Sequence, residues 1–170
     1  MTMEKIIIGA DHAGFQLKEG LKPLLAEMGF AVTDTGTDSD RPSDYPDFGA
    51  RVAEAVSTGL FPRGILICGS GIGMSIIANR FPGVRAALCL DEETARFSRQ
   101  HNDANILALA GRKTDTRTAR AITRVWLTTP FEGGRHQKRL DKIRETERKM
   151  GGKRDLSKAH DTYGVRRMQH

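Results

Sequence analysis

The chain has 170 residues, 38% apolar and 28% charged, which is enough for one domain with a full core and too few for two comfortable ones. No run of about 18 apolar residues occurs, and the N-terminus lacks a signal peptide's charged-then-apolar pattern, so a membrane-spanning or exported chain is not expected. The net charge of +6 sits toward the C-terminus: residues 1–134 carry 15 basic against 16 acidic side chains, residues 135–150 carry 7 against 3, and residues 151–170 carry 5 against 2.

Strand and helix patterns alternate from the start. Glu4–Ala10 reads as a buried strand. An amphipathic helix over Ala13–Met28 follows, with Asp11 as its candidate cap and with Gly20 and Pro23 predicting a kink or break. Gly29 closes it before a second strand, Phe30–Thr35. The polar stretch Gly36–Asp44 is a loop long enough to hang over a site, and Pro46–Ser57 reads as a helix opened by proline. Then come a strand at Gly64–Cys68, a helix at Ile72–Arg80, a strand at Val84–Cys89 and a helix at Glu92–His101. A fifth strand at Asn105–Ala110 and a helix at Asp115–Leu127 complete the alternation. The strands are continuous apolar runs separated by helices, as in a parallel sheet covered on both faces. Glu132-Gly133-Gly134 then breaks the chain before a charged helix, Arg135–Met150. The expected division is a domain over 1–150 and a basic tail over 151–170, flexible or docked on a partner.

The most informative segment is Cys68-Gly69-Ser70-Gly71-Ile72-Gly73, which follows the third strand. Three alternate glycines let backbone N–H groups converge into an anion-sized nest. A thiol beside that nest and a helix N-terminus has neighbours that favour negative charge. The spacing is neither Gly-x-Gly-x-x-Gly nor a phosphate loop, so phosphate, nucleotide and acyl chemistry all stay open at this point. Cys89 lacks such a context and reads as core. Two cysteines suit a reduced cytoplasmic protein and are too few for a zinc centre, so no metal is expected.

In open α/β sheets, ligands gather at the carboxyl ends of the strands. Asp11 and His12, Cys68 with its loop, and Arg112 all fall there, whereas His101 and Asn102 fall at the end of the fourth helix. Tyr45 ends the long loop, as a lid residue or as its packing anchor. Arg135 and Arg139, four apart, share a helical face and offer two permanently charged donors to a phosphate; the plainer reading is a solvated face.

Five stretches in order are similar to one known family: Gly9-Ala10-Asp11-His12-Ala13-Gly14, Asp44-Tyr45-Pro46, the Cys68–Gly73 loop, Ser98-Arg99-Gln100-His101-Asn102-Asp103, and Glu132-Gly133-Gly134-Arg135-His136. Over about residues 4–149 the chain resembles the type B ribose-5-phosphate isomerases, which share a family with the galactose-6-phosphate isomerase subunits. The resemblance implies a Rossmann-like three-layer α/β/α sandwich with a five-stranded parallel sheet and a C-terminal helix. It also implies cofactor-free aldose–ketose isomerisation and active sites shared across a homodimer, or a tetramer of such dimers. By motif, Cys68 would be the base between sugar C2 and C1, Gly69 to Gly73 would hold the enediolate oxygens, and His101 would assist ring opening beside Asn102. Asp11 would hold sugar hydroxyls, and His12, Arg112, Arg135 and Arg139 would surround substrate, chiefly its phosphate. Supply of some groups by a neighbouring subunit would account for His101 and Arg112.

The expected activity is ribose 5-phosphate to ribulose 5-phosphate conversion in the cytoplasm. The alternatives are an isomerase of a tetrose or hexose phosphate, and a non-catalytic phosphate- or nucleotide-binding module. Nucleic-acid binding through residues 135–170 is disfavoured, because the tail lacks stacking aromatics.

Overall fold

The computed structural model describes residues 3–151, which fall into two compact units divided between Gly133 and Gly134. The expected tail lies, from residue 152 onward, outside the described residues. The first unit alternates β1 (Glu4–Ala10), α1 (Phe15–Glu27), β2 (Phe30–Asp34), α2 (Tyr45–Ser57), β3 (Gly64–Cys68), α3 (Ile72–Ala78), β4 (Ala86–Leu88), α4 (Glu92–Asn102), β5 (Ile106–Ala110) and α5 (Thr116–Thr128). The second holds α6 (Arg135–Gly151).

All five strands pair in parallel, in the order β2-β1-β3-β5-β4. Alternate strand residues feed two cores. Ile6, Ile8, Ile65, Ile67, Leu107 and Leu109 face α1, α4 and α5, where Leu21, Leu25, Ala95, Ile122 and Trp126 meet them. Ile7, Leu66, Cys68 and Ile106 face α2 and α3, against Val52, Ala53, Met74 and Ala78. The three-layer α/β/α sandwich follows from strands that are apolar on both faces. Each fully buried aliphatic side chain in them contributes about 1.5–3 kcal/mol, which makes the central strands a rigid base for the loops above.

Three details differ from the sequence reading. Helix α1 runs unbroken through Gly20 and Pro23. A buried face of Leu17, Leu21, Leu24 and Leu25 holds it together, and Gly20 packs tightly against Thr116. Asp11 is not the cap of α1: Gly14 occupies that position, and the Asp11 carboxylate instead closes the turn before the helix. β4 is only three residues long, and its edge is covered by Asn79, whose amide exchanges hydrogen bonds with both backbone groups of Ala86 at 2.9 Å.

Candidate active site

β1 lies between β2 and β3, so the chain leaves β1 toward one side of the sheet and returns on the other. That reversal opens a crevice at the carboxyl ends of β1 and β3. A cavity of about 390 Å³ occupies it, lined by Asp11, His12, Ala13, Tyr45, Cys68, Gly69, Ser70, Gly73, Arg112 and Lys113.

The backbone fixes these groups closely. Cys68 is the last residue of β3, paired with Ala110, and its carbonyl accepts from the Gly111 N–H at 2.8 Å. Its side chain is buried and belongs to the core on the α2/α3 face, so the thiol sits where that core meets the cavity. After it the chain turns through Gly71 at φ 74°, in the left-handed region, to start α3. Within this loop Ser70 Oγ accepts from the Ile72 N–H at 3.3 Å. The Ile72 side chain is exposed at the start of α3, and neither it nor Gly71 lines the cavity.

On the facing side, buried Asp11 accepts from the Ala13 and Gly14 N–H groups through Oδ1, both at 3.0 Å, which leaves Oδ2 for a ligand. The turn it closes packs tightly on β3: a Cβ at Gly14 would lie 2.6 Å from the Ile67 carbonyl oxygen. His12 is held by the loop before α2, through Ser43. The Tyr45 ring, at the start of α2, lies over Gly73, where a Cβ would come within 2.7 Å of it.

Arg112 reaches the cavity from its own chain: its N–H donates to the Gly69 carbonyl at 3.0 Å and its side chain runs beside Gly69. A neighbouring subunit is therefore not needed to explain Arg112. Lys113 also lines the cavity and was missed by the sequence reading. The signal for it was present, as a second cation directly after the fifth strand.

His101 and Asn102 are not brought there. They end α4, close to the start of β3, where the Gly64 N–H donates to the Asn105 carbonyl. Cys68 ends that strand, four steps away, or about 13 Å at about 3.3 Å per residue. The His101 ring stacks on Phe97, with centroids 5.0 Å apart. Within one chain, then, the thiol and this imidazole lie at opposite ends of the sheet. Arg135 and Arg139 are exposed on α6, in the second unit. Cys89 is buried as expected, and its burial raises its thiol above the usual range.

A thiol, a carboxylate, an imidazole and two cations around a glycine-rich turn can bind a polar, negatively charged molecule and move a proton on it. Known proteins agree with that chemistry. The family described as Ribose/Galactose Isomerase matches residues 6–143. The ribose-5-phosphate isomerase B of Escherichia coli (strain K12) is 46% identical over 147 residues, spanning 86% of this chain and 99% of that protein. The D-erythrulose-4-phosphate isomerase of Pectobacterium atrosepticum is 40% identical over 142 residues, 83% of this chain and 93% of that one. The solved structure of Clostridium thermocellum ribose-5-phosphate isomerase B superimposes with a TM-score of 0.84 at 51% identity, covering 86% of this chain and 99% of that one. Likeness in sequence and backbone over this span makes the chain a member of the ribose/galactose isomerase family and an enzyme of the sugar-phosphate isomerase class.

Proposed function

We propose that the chain interconverts ribose 5-phosphate and ribulose 5-phosphate through an enediolate, with Cys68 as the base. The observation that carries this reading is the convergence of Asp11, His12 and the Cys68 loop in one cavity at the β1/β3 reversal. The Cys68 thiolate takes the C2 proton of the open-chain aldose and returns it to C1, so no redox partner is required. Negative charge collects on the C1 oxygen, beside the backbone N–H groups of Gly69, Ser70 and Gly73, the residues of the Gly69 to Gly73 loop that line the cavity. Preorganised donors of that kind are worth about 2.7–4 kcal/mol each in known enzymes. Asp11 Oδ2 binds sugar hydroxyls and Tyr45 covers them. His12 and Arg112 meet the phosphate end, and Arg135 and Arg139, one turn apart on α6, offer a phosphate two further charged donors.

Ring opening falls to His101, with Asn102 beside it, supplied by a second copy of the chain. The distance between His101 and Cys68 within one chain supports this. So does an exposed apolar set, Ile72 and Ile76 one turn apart on α3 with Leu90 and Phe97, of the kind that a homodimer covers. A homodimer with shared sites, or a tetramer of such dimers, in the cytoplasm is the proposed working form.

Cys68→Ala is expected to lower kcat by about 10²–10⁴-fold, the span of general-base catalysis, and to stop solvent-proton exchange at the sugar carbon while substrate still binds. Near wild-type turnover by this variant would remove Cys68 as the base. A second reading, a four-carbon substrate, is favoured by the 40% identity to the D-erythrulose-4-phosphate isomerase, close to the 46% to ribose-5-phosphate isomerase B. Comparing kcat/KM on tetrose, pentose and hexose phosphates decides between them, with the pentose expected to lead.

A further inference from the structure

We propose that Ser43 is a positioning residue that holds His12 in one tautomer, with the proton on Nε2. Three contacts join the two residues across 31 positions of sequence. The His12 backbone N–H donates to Ser43 Oγ at 3.1 Å. The Ser43 backbone N–H donates to His12 Nδ1 at 3.2 Å. The Ser43 carbonyl oxygen also lies 3.2 Å from Nδ1.

Nδ1 of a neutral ring can serve only one of the two backbone groups. With the proton on Nε2, Nδ1 accepts from the Ser43 N–H, and the Ser43 carbonyl turns to water. With the proton on Nδ1, that proton faces the Ser43 N–H, leaving a partly buried donor unpaired. A carbonyl has two lone pairs and is left under-used somewhat more often than an N–H is left orphaned. The Nε2–H form therefore prevails, and Nε2 remains for the cavity that His12 lines. Phosphate and sugar oxygens are acceptors, so a donor is the useful group there. Ser43 Oγ adds a second constraint by fixing the backbone from which the ring projects. The loop of residues 36–44 thus has a task beyond covering the site. It sets which His12 nitrogen donates.

This inference rests on His12 meeting substrate, as proposed above, but its first test does not require substrate. In protein labelled with ¹⁵N in its imidazoles, the His12 signals, identified by their loss in His12→Gln, should show a protonated Nε2 and a bare Nδ1. Ser43→Pro removes the N–H donor; it should yield a mixture of tautomers and raise KM for ribose 5-phosphate about tenfold, with kcat nearly unchanged, as for the loss of one well-formed hydrogen bond. Ser43→Ala keeps the backbone contact and loses Oγ, so the tautomer should persist while KM rises about threefold, and Ser43→Thr should restore it. A proton found on Nδ1 in the wild type overturns the proposal. So does a folded Ser43→Pro protein that keeps a pure Nε2–H ring. If Ser43→Pro does not fold, the wild-type tautomer and the Ala/Thr pair still decide. Absence of turnover on every sugar phosphate would instead overturn the proposed function and leave the tautomer assignment standing.

Discussion

The two ends of the sheet carry cavities of similar size and treat their charges in opposite ways. At the amino ends, about 480 Å³ is lined by Arg63, Arg85 and Arg99 with Glu4 and Asp103. Arg63 donates to Glu4 and to the Leu127 carbonyl. Arg85 serves the Asn102 and Asp103 carbonyls and the Asp103 carboxylate. Arg99 serves that carboxylate and the Ala104 carbonyl. The carbonyls among these lie at or just past the C-terminal ends of α4 and α5, where they lack an intrahelical partner, so the arginines close both helices. Burial, with the nearby Arg63 and Arg85, holds the Arg99 guanidinium below the usual arginine range, against the pull of Asp103.

At the carboxyl ends the polar groups are less committed. Asp11 spends one oxygen and keeps the other, while Arg112 and Lys113 enter no ion pair among the described residues. Cavity size does not mark the site. The presence of charge not already spent on the protein does.

The sharpest test of this contrast joins the two ends. If His101 at one end serves the Cys68 cavity of a second copy, Cys68→Ala and His101→Ala chains should each be nearly inactive alone. Unfolded and refolded together in equal amounts, they should recover about a quarter of wild-type activity, because half of random dimers are mixed and one of their two sites is whole. No recovery from a folded mixture would confine both groups to a single chain and break the proposed sharing.

A smaller effect probes how tightly the carboxyl end is built. Gly14→Ala forces a methyl to within 2.6 Å of the Ile67 carbonyl, against backbone that cannot swing away. It should lower stability by about 1–3 kcal/mol, the range for overpacking, read as a fall in the thermal midpoint. An unchanged midpoint would mean that the first turn and β3 have room the structure denies them.

Most of this architecture was legible in the sequence, and the reasons are local. Short, β-branched apolar runs bounded by glycine, such as Ile65-Leu66-Ile67 after Gly64, read as buried strands, and Gly29 ends the helix that the pattern requires. Strand ends were equally legible, and so Asp11, His12, Cys68 and Arg112 could be gathered by topology alone. What stayed hidden depends on contacts between distant segments. Ser43 meets His12 only after the 36–44 loop folds back, and Gly20 and Pro23 read as breakers until the buried leucine face of α1 overrides them. Nothing in the sequence marks Lys18 as a buried lysine, for an amphipathic helix ordinarily turns its lysines to water.

Lys18 is the exception to the contrast, a fully committed charge at the carboxyl edge. It is 2% exposed, and its ammonium bonds Asp34 at 2.5 Å and Glu19 at 2.8 Å, with the Phe15 ring below it. Burial raises the Asp34 carboxyl, but hydrogen bonds from Lys18, the Gly36 N–H and Lys22 outweigh it and hold the group below its ordinary value of 3.8. The unfolded chain binds this proton more readily than the folded one, so the pairing stabilises fully above the ordinary carboxylate range, begins to weaken within it, and is lost as pH falls on through the lower value of the folded state. Asp34→Asn should cost about 1–3 kcal/mol at neutral pH, as for a hydrogen bond to a charged group, with Glu19 left to Lys18. Between pH 6 and pH 3.5 the variant should lose less stability than the wild type, measured by denaturant unfolding at each pH. Parallel curves would show that Lys18 and Asp34 are not coupled in the folded protein, and the base of the 36–44 loop would need another anchor.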